Sequence, residues 1–151
     1  MKNEEIISTL NNLIETCKDG QEGFKDAAEG VENADLKKSF YEFSQQRSQF
    51  AGELQNLVRD LGGDPEDSSS FTGSIHRGWI NIKAAVTGQD ETAILNECER
   101  GEDVAKDQYQ KALDQDLPAN VQQTIEDQYQ TVQKTHDKVK ALRNDSRAAN
   151  A

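Results

Sequence analysis

One charged side chain in this sequence sits where an apolar one is due. Stepping through residues 36–61 by fours and threes gives Leu36, Phe40, Phe43, Arg47, Phe50, Leu54, Leu57 and Leu61, and only Arg47 is not apolar. A guanidinium on the apolar stripe of a helix either meets a carboxylate inside the fold or snorkels past Phe43 and Phe50 to water. Three more polar residues fall at its height. Gln21 lies as far before the turn near Ala34 as Arg47 lies after it. Glu102 and Gln128 are the counterparts of Gln21 and Arg47 at an internal offset of 81 residues. Gln21, Arg47, Glu102 and Gln128 are therefore expected to form a polar layer in mid-fold, with Glu22, Glu99 and Asp103 nearby and Arg47 paired to Glu102 or a near neighbour.

Carboxylates gathered at one height inside a helical bundle can also hold metal. Di-metal bundles take one Glu from each of two helices and a Glu-x-x-His from each of the other two, because residues i and i+3 share a face. The histidines here are His76 and His136, with Gly73 and Gln133 three residues before them, so no Glu-x-x-His is present. Glu22, Glu53, Glu99, Glu102 and His136 remain as candidate ligands of a degenerate di-iron-like or single-metal site. Gln133-x-x-His136 keeps the spacing with an amide where a carboxylate is wanted, and Glu42, Gln45, Gln46, Gln49 and Glu53 are the oxygen donors of the second helix. Without metal, His136 reads as half-exposed beside a basic helix and His76 as a surface residue. No Gly-x-Ser-x-Gly elbow, phosphate loop or dinucleotide fingerprint occurs, so no residue is named as catalytic and no cofactor is expected. Iron or another divalent metal is the alternative.

Positioning such a layer takes four long helices. Apolar periodicity predicts them over residues 3–32, 36–61, 91–115 and 117–143, with Asp35 and Asp90 as N-caps and Pro118 in the first turn of the last. Gly62-Gly63 and Asp64-Pro65 stop the second helix. Residues 62–90 form a crossover carrying a short helix at about 74–87, with Ile75, Trp79, Ile82 and Val86 on one side. The tail, 144–151, is expected to fray. The fold class is all-α: an antiparallel four-helix bundle over 1–143 with one long crossover, the ferritin-like arrangement.

The two hairpins repeat each other, most plainly in Cys17-Lys-Asp-Gly20 and Cys98-Glu-Arg-Gly101. A mid-helix glycine costs ~1 kcal/mol relative to alanine. Gly20 and Gly101 therefore imply either close helix approach or room for a large side chain such as Arg47. Both cysteines read as small core residues, too far apart for a disulfide. The series Glu15, Asp19, Glu22, Asp26 and Glu29 reads as a solvated face.

A net charge of −11 excludes a general binder of nucleic acid or anionic membrane, and 34% hydrophobic residues suit amphipathic helices. No apolar run reaches the ~18 residues of a membrane span, and the acidic start MKNEE is no leader peptide. The expected setting is the cytoplasm, with reduced thiols.

The segments LNNLIETCKDGQEGF, FSQQRSQFAGEL, HRGWINIKAAVTG, CERGEDVA and THDKVKALR resemble a bacterial family of uncharacterised ferritin-like four-helix-bundle proteins, a domain of unknown function. The resemblance spans roughly residues 5–143 and is most specific at HRGW and CERGED. It implies a ferritin-like fold with the crossover helix packed on the bundle, and it carries no established activity or site residues. The wider group includes iron-oxidising enzymes, from whose ligand pattern this chain departs on at least two helices. The expected function is that of a non-enzymatic bundle, linked to stress adaptation by analogy with the fold group alone, acting as a homodimer or through another protein partner. A metal-binding carboxylate bundle is the alternative.

Overall fold

The computed structural model describes residues 2–66 and 78–149. These are all-helical, in the order α1 (Asn3–Gly30), α2 (Ala34–Asp60), α3 (Ile82–Thr87), α4 (Glu91–Leu113) and α5 (Ala119–Ala149). Long helices α1 and α2 pack as one hairpin and α4 and α5 as another. Helix α1 also lies against α4, and α2 against α5, while α3 rests on α1 and α4. Helices α2 and α4 do not approach each other closely, so they face one another across the interior. No helix among the described residues is long and apolar enough to cross a membrane.

Local chemistry sets the boundaries. The cap of α2 is Asn33, whose Oδ1 accepts from Asp35 N (2.9 Å) and Leu36 N (3.1 Å), so the expected Asp35 is instead the first-turn acid. Asp90 caps α4 as expected, accepting from Thr92 N and Ala93 N. Helix α2 ends in a Schellman turn: Gly63 N donates to Val58 O and Gly62 N to Arg59 O, with Gly62 at φ +80°.

Two expectations are corrected. The crossover helix is only Ile82–Thr87 among the described residues; Gly78, at φ +94°, cannot continue a right-handed helix through Trp79. Ile75 and His76 lie outside the described residues. Helix α5 runs to Ala149 instead of stopping at 143, because polar contacts hold its last turns. Ser146 Oγ lies 2.6 Å from Thr92 Oγ1 and 3.1 Å from Glu91 Oε2, and Arg147 donates to Asn96.

The core falls into two clusters. One holds Leu10, Leu13, Ile14, Leu54, Val58 and Ile125. The other holds Phe24, Phe40, Phe43, Trp79, Ile82 and Leu95. Burying each such side chain contributes ~1.5–3 kcal/mol. Beyond Arg47 the buried row of α2 drifts to Ala51, Leu54 and Val58, leaving Phe50, Leu57 and Leu61 half-buried at its edge. The boundary between clusters is polar. On α2 it falls between Phe43 and Ala51, and on α4 between Cys98 and Ala105.

Candidate functional site

Arg47 and Glu102 occupy that boundary. Arg47 Nη2 donates to Glu102 Oε2 at 2.6 Å, with the side chains 1% and 0% exposed. The pair bridges α2 and α4 across the interior. Two features of the neighbourhood admit a guanidinium there. Gly20 leaves it space, since a Cβ at that position would stand 3.1 Å from Arg47 Nη1 and 3.4 Å from its Cγ. The ring of Phe24 lies 5.7 Å from the guanidinium carbon, within cation–π range. Burial pushes the Glu102 carboxyl above its usual range while Arg47 opposes it. On the other side burial works against the Arg47 charge, and Glu102 more than restores it. Arginine has no accessible neutral form, so the pair stands as ionised partners at hydrogen-bond distance.

A second buried chain runs beside it. The Cys17 thiol donates to Tyr109 Oη at 3.1 Å, because that hydroxyl gives its own proton to Gln128 Oε1 at 2.7 Å. Gln128 Nε2 in turn donates to Glu53 Oε1 at 2.9 Å and Phe50 O at 3.3 Å. Burial pushes the Cys17 thiol up to about 11 and Tyr109 well above its ordinary value. Both hold their protons at neutral pH, so this thiol is a packing group rather than a nucleophile.

The polar-layer residues thus lie in two networks. Arg47 and Glu102 form the ion pair, Gln128 closes the tyrosine chain, and Gln21 offers its backbone carbonyl to Ser44 Oγ at 2.8 Å. Arg47 Nε, Glu102 Oε1 and Gln21 Oε1 are buried with no hydrogen-bond partner among the described residues.

The five candidate metal ligands are not brought together, and no group of three His, Cys, Asp or Glu poised for a metal occurs among the described residues. Glu102 is engaged by Arg47 and Glu99 by Arg143. Glu53 is exposed and accepts from Gln128, whereas Glu22 is half-buried on α1. His136 Nε2 lies 2.6 Å from Asp103 Oδ1 and its Nδ1 3.3 Å from Asp137 Oδ1. Gln133 turns to Tyr129 Oη, Gln46 accepts from Thr135, and Glu42, Gln45 and Gln49 are exposed.

The acidic face of α1 needs correction, because Asp19 is 1% exposed and Asp26 is pushed up by burial against the pull of Lys83. Helix α1 carries α3 as well as α2 and α4, so its buried arc is wider than one stripe.

Sequence reasoning left out Tyr109 and placed Trp79 only on the crossover helix, not in this region. Tyr109 had a signal, the four- and three-residue steps from Ala105 to Ala112. Trp79 is a buried plug: a Cβ added at Gly101 would come 2.1 Å from its ring, and one at Gly23 2.3 Å. Gly101 therefore makes room for a tryptophan, as Gly20 does for an arginine.

No curated protein matches the chain. A family model does, over residues 5–115, a stretch that takes in both partners of the ion pair. The chain therefore belongs to the family described as a domain of unknown function, DUF2383.

Proposed function

We propose that this chain is a ferritin-like four-helix bundle of the bacterial cytoplasm with an internal ion pair where metal-binding relatives of that fold would gather ligands. It works without catalysis, by associating with itself or with a protein partner. One observation carries the reading: Glu102, the most deeply buried of the candidate ligands, is held by Arg47, a fixed cation at the same height. A divalent ion there would face a guanidinium in a low-dielectric interior, where like charges repel most strongly. The remaining candidates point to separate partners. Function then resides on the surface, and the interior serves to keep that surface in shape.

The test is metal content by mass spectrometry after anaerobic incubation with Fe(II), Mn(II) or Zn(II) and desalting, on wild type and Glu102→Ala. The reading expects no stoichiometric metal on either chain. About one or two metals per wild-type chain, lost in Glu102→Ala, would overturn it in favour of a carboxylate metal site.

A further inference from the structure

Helices α2 and α5 leave a groove between them of about 480 Å³. Phe50 and Leu57 line it, half-buried, on the α2 side, and Thr131 on the α5 side. Contacts across the seam fix its register. Gln128 reaches Phe50 O and Glu53, Thr135 reaches Gln46, and the Lys138 ammonium sits 5.5 Å over the Phe43 ring. As residue numbers rise on α5 they fall on α2, so Phe50 and Thr131 stand near one height.

Charge along this face is polarised. Below that height lie the exposed carboxylates of Glu53 and Asp127; above it lie the exposed ammonium groups of Lys134 and Lys138, with Glu42 an exposed acid at that end and Asp137 exposed beside Lys138. Asp127 and Lys134 are seven residues apart, ~10.5 Å along the axis, and Thr131 is close to their midpoint.

We infer that this face docks a second copy of the chain about a twofold axis passing near Phe50 and Thr131. The inference rests on the proposed mode of action through association and names its surface. A twofold contact sets a patch against its own reverse, so it needs a patch whose two ends attract each other. Here the twofold lays α5 antiparallel on α5 of the other copy, so it brings Asp127 of each copy opposite Lys134 of the other, and it covers the half-buried Phe50 near the axis. A parallel arrangement would instead set acid on acid and lysine on lysine.

The test is the mass of the full chain in solution by sedimentation equilibrium, across concentration and at low and high salt. The expected result is a dimer whose dissociation constant rises with salt. Lys134→Glu should weaken it at least tenfold, and the reversed pair Asp127→Lys with Lys134→Glu should restore it. A cysteine placed at Thr131 should cross-link two copies on oxidation, because the axis brings that position near its own image. These positions lie outside the core, so the folded chain should keep its helicity in each variant. A chain that stays monomeric throughout, or a dimer indifferent to Lys134→Glu and not trapped through Thr131→Cys, overturns the inference. A monomer that instead captures a lysine-rich peptide in this groove also overturns it, in favour of a basic partner. None of these results bears on metal content, so failure here leaves the ion-pair reading standing.

Discussion

Removing the Glu102 carboxylate while leaving Arg47 in place should be among the most damaging single changes available to this fold. In Glu102→Ala the guanidinium, 1% exposed, loses its only charged hydrogen-bond partner among the described residues and cannot shed its proton. Breaking a buried pair from one side costs ~3–5 kcal/mol. With a urea m-value of roughly 2 kcal/mol/M, that lowers the unfolding midpoint by about 2 M. The double variant Arg47→Met with Glu102→Leu should behave differently, because it removes both charges and keeps much of the volume. Such replacements run from neutral to ~1–4 kcal/mol more stable. Gly20 supplies an internal control. In the wild type an added Cβ meets Arg47 Nη1 at 3.1 Å, which opposes the helix-propensity gain of Gly20→Ala. In the double variant that gain, ~1 kcal/mol, should emerge. The assay is equilibrium urea denaturation followed by far-ultraviolet circular dichroism. A cost below ~1 kcal/mol for Glu102→Ala, or a double variant equal to the sum of its singles, would refute the reasoning.

Three further perturbations follow from the same interior. The Cys17 thiol, pushed by burial to about 11, holds its proton in the folded chain after the unfolded chain has lost it near pH 9. Its contribution, ~3 kcal/mol, is therefore full below pH 9 and is lost as pH rises toward 11, so the urea midpoint should fall over that range, less steeply in Cys17→Ala. Gly101→Ala would drive a methyl into the Trp79 ring, which is 1% exposed; it should cost ~1–3 kcal/mol and shift the emission of this sole tryptophan to the red, whereas in a Trp79→Ala background the same change should be tolerated. Tyr109→Phe deletes the hydroxyl between Cys17 and Gln128 and leaves Gln128 Oε1 unpaired, which should cost ~1–3 kcal/mol by thermal or urea denaturation and leave the secondary structure intact.

Periodicity made the long helices legible, and it made Arg47 legible as a charge in an otherwise apolar row. The partner was legible too, through the repeat that relates Glu102 to Gln21. Features that depend on what packs against a helix were not. Asp19 belongs to an acidic series in sequence, yet α3 gives α1 a third buried side. The row of α2 was traced to Phe50, Leu57 and Leu61, but the helix turns slightly and buries Ala51 and Val58, two smaller side chains, instead. The last turns of α5 are held by Ser146, Thr92 and Arg147, polar contacts that leave no apolar rhythm. Trp79 was placed on one side of a helix that does not include it, because a glycine with positive φ precedes it and the ring drops into notches at Gly23 and Gly101. Spacing set Glu22 and Glu99 beside the polar layer and offered Glu53 and His136 as further ligands, but each side chain turns to its own surroundings.

The central claim, a charged arginine sealed inside the fold, is most directly tested by nuclear magnetic resonance of the arginine Nε–H groups, with Arg47→Lys assigning the Arg47 signal. Its Nε is buried without a hydrogen-bond partner among the described residues. The account predicts an Nε–H that exchanges with solvent far more slowly than those of exposed arginines such as Arg59 and Arg100, and that speeds up in Glu102→Ala. An Arg47 Nε–H exchanging as fast as those two would place the guanidinium in water and contradict it.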